Sequence, residues 1–288
     1  MERLEDRAVP ASFTASTVAE LIADINGANR TAEADTITLA PGKTFTLTAV
    51  NNGTTGLPSV AASGGPLTIV GNGDVIERST TKKTPAFRLI EVAAGASLTL
   101  ENLTLQGGYL IGGSYDDFYG VGAAQGAAVY NAGSLTMTGV TVQNNTAYGG
   151  DGGWMGGFAE GGGIYSRGTL TVQGGTIRNN LAVGGQGGEG LDGGWAFGGG
   201  IYVGGTATLL GTTIIGNEAR AGRKGPGATK DFAGEPSSHG SDGSAYGGGL
   251  SVGYGSLAYL DPFTMGHLTN NKASTAAPNI YGPYTLVS

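Results

Sequence analysis

GGGIYSRGTLTVQGGTIRNN, residues 161–180, returns after one loop as GGGIYVGGTATLLGTTIIGN, residues 198–217. Aligned on the aliphatic residue after the glycines, four copies stand in columns headed by Val92, Val129, Ile164 and Ile201. Leu98, Leu135, Leu170 and Ala207 stand six residues on, and Leu100, Met137, Val172 and Leu209 eight. Leu103, Val140, Gly175 and Thr212 follow at eleven, and Leu105, Val142, Ile177 and Ile214 at thirteen. Gly108, Asn145, Asn180 and Asn217 close each copy at sixteen, with no gap in this core. A degenerate fifth copy runs from Leu250 to Asn271.

Offsets six and eight, then eleven and thirteen, alternate with period two, so each pair is a short strand. The step from eight to eleven breaks the alternation and predicts a turn. The closing position takes only Gly or Asn, residues that tolerate a left-handed backbone. One such unit cannot bury its apolar face alone, so neighbouring units must stack. The expected fold is all-β: a single-stranded, right-handed parallel β-helix with apolar columns inside. Gly108, Asn145, Asn180, Asn217 and Asn271 are expected to form a turn ladder bonded from rung to rung.

Composition limits the rest. Of 288 residues 57 are Gly and 13% are charged, yet 39% are hydrophobic, which excludes a disordered glycine-rich tail. The net charge of −7 argues against nucleic acid and anionic membrane as partners. No Cys is present, so disulfides and thiolate metal sites are excluded. No apolar run is long enough for a membrane span, so no membrane insertion is expected. Thr17 and Glu20 read as a capping box opening a helix over 16–26, with Val18, Leu21, Ile22 and Ile25 on one face and Gly27 as its stop. The expected layout is a tail over 1–15, then one β-helix domain over 16–288 whose cap occupies 16–34. DTITLAPGKTFTLT (35–48) and GPLTIVGNG (65–73) read as opening strands, and NIYGPYTLVS (279–288) as the closure of the far end.

GGGIY with TIRNN (176–180) and TIIGN (213–217) resembles the repeats of chlamydial polymorphic outer membrane proteins and of other bacterial surface proteins with pectate-lyase-like β-helices. TVAELIADINGAN with ADTITLAPG resembles the cap and first rung of such proteins, and MERLEDRAVPA the start of exported planctomycete proteins. The resemblance covers nearly the whole chain. It implies export to the cell surface or exterior and a structural or adhesive role; no cofactor is expected. A polysaccharide-active lyase or hydrolase is the alternative it leaves open.

Four insertions, 109–125, 148–160, 183–197 and 220–246, leave from one corner and therefore share one side. Their glycines fall every third residue, at 150, 153 and 156, at 184, 187, 190 and 193, and at 222, 225, 234, 240 and 243. Three residues per turn is the period of extended polyproline-II-like chains, so at least two loops should pack through glycine faces; flexible glycine coil is the competing expectation. DGGW recurs in them. Trp154, Trp195, Asp151, Asp192, Tyr148, Phe158 and Phe197 are the candidate ligand-binding residues, aromatics for sugar faces and carboxylates for hydroxyls. Tyr109, Tyr115, Tyr119, Phe232 and Tyr246 lie beside them. The same rings could instead form a satellite core pinning the loops. The expected partner is a polysaccharide or cell-surface component.

Catalysis would draw on Asp116, Asp117, Asp151, Glu160, Glu189 and Asp192 with Arg220, Arg223, Lys224 and Lys230, which form no signature, so no catalytic residue is assigned. His239 and His267 are too separate for a metal site. GGQGGEGL (184–191) is one imperfect calcium nonapeptide, and HGSDG (239–243) is not a triad by adjacency. Finally, Ser97 and Thr99, Ser134 and Thr136, Thr169 and Thr171, and Thr206 and Thr208 should form an outward hydroxyl grid, a minor candidate for binding ice or another surface.

Overall fold

A computed structural model describes residues 10–113, 122–152, 155–227 and 240–288. Among these residues five parallel sheets, of nine, seven, six, five and four strands, stack rung upon rung. The chain is an all-β parallel solenoid. One full rung runs through Ala124–Gln125, Val129–Asn131, Ser134–Thr138, Thr141–Gln143 and Thr146–Tyr148. The next begins at Ala159–Glu160, in register with Ala124–Gln125.

The columns hold. Leu98, Leu135, Leu170 and Ala207 pair in register, as do Leu100, Met137, Val172 and Leu209. Leu105, Val142, Ile177 and Ile214 form the third column, and all twelve residues are buried in one aliphatic core. The heading column needs a correction: Val129 pairs with Ile90, and Val92 pairs with Asn131. The first copy turns its corner through Ala93–Ala96, closed by the Ala96 amide on the Ala93 carbonyl, two residues longer than in later copies. In the fifth copy a short helix, Pro262–Gly266, is inserted at the corner between Leu260 and Leu268.

The asparagine ladder exists, for a different reason from left-handed tolerance. Each amide is buried and turned inward. The Asn180 Oδ1 accepts from Asn145 N at 3.1 Å and Nδ2 at 2.9 Å, and the Asn217 and Asn271 oxygens repeat this one rung on. Gly108 donates its amide to the Asn145 Oδ1 at 2.8 Å. The left-handed residues are those just before, Gly107, Asn144, Asn179, Gly216 and Asn270. The ladder asparagines answer backbone groups that a bent corner leaves unpaired in a dry interior. Asn102, Gly139, Gly174 and Gly211 take positive φ at the turn between offsets eight and eleven.

Two boundaries move at the N-terminal end. Ser12–Ala15, assigned from sequence to the tail, is a strand paired with Thr36–Leu39. The helix spans Val18–Ala28, with the Thr17–Glu20 capping box formed. Gly27 lies inside it and does not end it, and Asn29 caps it; a methyl on Gly27 would make ordinary contact with the Phe13 ring at 3.4 Å. Leu21 and Ile25 bury over the first rung. At the other end Ile280–Tyr281 and Tyr284–Leu286 add a further partial rung.

Past the asparagine corner the section narrows. Leu110, Ala147, Ala182 and Ala219 from one sheet meet Ala124, Ala159, Ala196 and Ala245 from the facing one, all buried. Beyond this alanine neck the loops form a thin fin. Gly122 donates to Gly113, Gly150 to Gly122, Gly157 to Gly150, Gly185 to Gly157, Gly194 to Gly185, Gly222 to Gly194 and Gly243 to Gly222, each amide to a carbonyl. Lateral bonds recur every third residue: the amides of 184, 187 and 190 donate to the carbonyls of 220, 223 and 226. The loops thus pack through glycine faces. A methyl on Gly185 would overlap the Gly150 carbonyl, and one on Gly194 the Gly157 carbonyl.

Candidate functional site

The neck sets back from the barrel, leaving a corner on each side. On the returning side, outward positions alternate with the buried alanines: Phe158 and Glu160, then Trp195 and Phe197, then Ser244 and Tyr246. Across the glycine bend stand Tyr130, Tyr165 and Tyr202, one per rung. Phe197 lies 6.2 Å from Tyr202, which joins the two sets into one aromatic patch.

Most of those ring faces are already used. Tyr130 stacks on Tyr165 at 5.2 Å and Tyr165 on Tyr202 at 5.3 Å, nearly parallel. Arg88 covers the ladder's lower end, 4.8 Å from the Tyr130 centroid. Phe158 stacks on Trp195 at 6.1 Å, and Phe197 on Tyr246 at 5.9 Å. Trp195 differs. In register above it stands Ser244, too small to cover it, and the indole is 43% exposed. It presents an open face over the next rung.

Glu160 sits in the same corner. Its Oε2 accepts from Gln125 Nε2 at 2.7 Å. Burial pushes its carboxyl above the usual range, while Gln125 and the Tyr202 hydroxyl act the other way. Burial and the facing Glu160 charge push the Tyr165 phenol up to about 12, and the Tyr202 phenol also rises. The corner therefore offers an open indole face, a hydrogen-bonded carboxyl group and phenol hydroxyls that stay protonated, the materials of sugar recognition.

The predicted site residues divide. Trp195, Phe158 and Phe197 come together. Tyr148 and Asp151 lie on the opposite face of the fin, since Ala147 and Ala159 fill the neck between. Asp151 Oδ1 accepts from the Gln186 amide at 2.7 Å and the Tyr148 hydroxyl at 3.1 Å. Asp192 Oδ1 accepts from the Ser241 amide at 2.6 Å. Both carboxylates staple one loop to the next. Trp154 lies outside the described residues, as do Tyr115, Asp116, Asp117, Tyr119, Lys230, Phe232 and His239.

Of the other candidates, Arg220 pairs with Glu218 at 2.9 Å, and His267 bonds the Phe263 carbonyl at the C-terminal end. The 184–191 stretch is a limb of the fin: the amides of 184, 187 and 190 bond the following loop and those of 185 and 186 the preceding one. Among the described residues no three His, Asp or Glu side chains group to hold a metal ion. The hydroxyl grid is in register and longer than expected, with Thr36, Thr68, Thr99, Thr136, Thr171 and Thr208 in one column on a separate sheet. Sequence reasoning missed the tyrosine ladder, although VY, IY and IY at 129–130, 164–165 and 201–202 carried its register. No helix among the described residues is long and apolar enough to cross a membrane. No known protein family, curated protein sequence or solved structure matches this chain.

Proposed function

We propose that this chain is an exported surface module that holds a polysaccharide or cell-surface glycan without cleaving it. The observation that carries the proposal is the open Trp195 face beside Phe197 and Glu160, in a corner where most other ring faces are taken. The winding is a single-stranded right-handed β-helix, because a crossover between parallel strands of one sheet is right-handed in nearly all proteins. Export and surface display rest on the N-terminal and repeat resemblances. Asp151 and Asp192, spent on backbone amides, do not support the acid–base pair a lyase or hydrolase needs.

The test is a panel of polysaccharides passed over immobilised protein and scored for retention and for new reducing ends or unsaturated products. Retention without cleavage is expected. Trp195→Ala should weaken retention roughly fivefold, one aromatic contact of about 1 kcal/mol, with little change in melting temperature. Cleavage of a retained glycan would replace this proposal with the enzyme reading. Failure to retain any glycan would leave a purely structural module.

A further inference from the structure

The two ends of the solenoid are finished differently. At one, the helix Val18–Ala28 lies across the core and buries Leu21 and Ile25 against it. At the other, Tyr284 and Leu286 pair with Ala258 and Leu260, both wholly buried, and so stand in core columns. They are nevertheless 41% and 59% exposed. Ile280, in register with buried Leu250, is only half-buried. The apolar columns run open at this end. The edge is open as well: among the described residues Tyr284–Leu286 pairs on one side only, with Leu257–Leu260. Val287 donates its amide to the Leu260 carbonyl. Backbone groups alternate sides along a strand, so the amides and carbonyls of Tyr284 and Leu286 point away from the sheet. Proteins blunt such edges with charge or proline. This strand carries no charge, and Pro283 falls on the paired side by the same alternation.

Charge selects what covers this end. All 22 Asp and Glu precede residue 262, and Lys272 is the only Asp, Glu, Lys or Arg in 262–288. Two copies of a chain of net charge −7 therefore meet with least repulsion here. Stacking head to tail is closed off, because the helix with Glu20 and Asp24 occupies the core side of the opposite end. Only like ends can join, which makes the contact two-fold. We infer that two copies of this chain associate through this end, the Tyr284–Leu286 strands pairing antiparallel with the two-fold axis at Thr285. Tyr284 then faces Leu286 of the second copy, and each exchanges its free amide and carbonyl with the other. An axis normal to the sheet keeps both interiors on the same side, so the exposed Tyr284 and Leu286 side chains cover one another across the seam. The seam spans a single rung, so micromolar rather than nanomolar affinity is expected.

The experiment is light scattering coupled to gel filtration, from low to high micromolar protein, on wild type, Leu286→Lys and Thr285→Cys. Wild type should pass from monomer to dimer mass over that range and stop there. Leu286→Lys should weaken association at least tenfold with an unchanged circular dichroism spectrum, because the side chain is more than half exposed in one copy. The chain has no Cys, so Thr285→Cys can cross-link only to itself. Facing residues of a non-hydrogen-bonded antiparallel pair come close enough for a disulfide, and mild oxidation should give a covalent dimer. Thr208→Cys, two rungs away in the same outward column, should not. A monomer at every concentration, wild-type association by Leu286→Lys, growth into filaments, or a dimer without the Thr285→Cys cross-link each overturns the two-fold seam. Trp195→Ala should dimerise as wild type does, so this test and the glycan test fail separately.

Discussion

The barrel and the fin are built from the same rungs with opposite chemistry. In the barrel, register is carried by side chains: leucine, valine and isoleucine fill the interior, and a buried amide ladder closes one corner. In the fin, side chains are excluded and the backbone bonds to itself, carbonyl to amide, through glycine. Alanine stands between them at the neck. Side-chain volume falls outward from leucine through alanine to glycine, and the space between facing chains falls with it. Burial of apolar surface drives the first region; the second gains little of it, and its glycines lose the most chain entropy on ordering. The fin must therefore depend on the barrel, and not the reverse.

That dependence can be broken at several points. The largest effect is expected from Asn180→Leu. It strands the Asn145 backbone amide, removes the bonds the Asn180 Nδ2 makes to the Val142 carbonyl and the Asn217 Oδ1, and forces an apolar branch into a dry corner, at roughly 1–3 kcal/mol for the unpaired amide and as much again for the misfit, and chemical denaturation should show both regions lost in one transition. Leu170→Ala opens a cavity in the aliphatic core and should cost about 2–5 kcal/mol, again read by global unfolding. Gly185→Ala puts a methyl onto the Gly150 carbonyl. Hydrogen exchange should show protection lost at fin amides such as Gly150, Gly157 and Gly194 while barrel strands keep theirs; equal loss in both would refute the one-way dependence. Gly174→Ala sharpens the contrast. It sits at φ +62° with open space around its added carbon, so it should cost only the left-handed backbone term of about 1–2 kcal/mol. The smallest effect is electrostatic. Burial holds the Glu160 pKa above its unfolded value, so ionisation destabilises the fold, and stability falls as pH rises from the ordinary carboxylate range through the folded pKa. Glu160→Gln should melt higher than wild type at neutral pH, with the gap closing on acidification.

The barrel was legible because its information lies in side chains at fixed spacing. Leu98 to Leu105 and their successors state strand, turn and register in the order of residues alone. The glycine period of three was legible too, as a backbone pattern. What sequence could not give was sidedness. Tyr148 and Phe158 flank one loop, yet an alanine neck puts them on opposite faces. Asp151 and Asp192 look free in a glycine run, and only the partner loop's amide reveals their employment. The tyrosine ladder was hidden because an outward strand position next to a core residue ordinarily means solvent, and only stacking across rungs turns such positions into a column.

The lateral bonds of the fin impose a counting rule on insertions. Three residues added to each limb of a loop return every glycine to the inside and every outward side chain to the same face. One residue added to a single limb turns a side chain into its neighbour's carbonyl. The fin can therefore be lengthened in triplets without disturbing the barrel beneath. Loop length and outward chemistry can then vary separately from the fold that carries them.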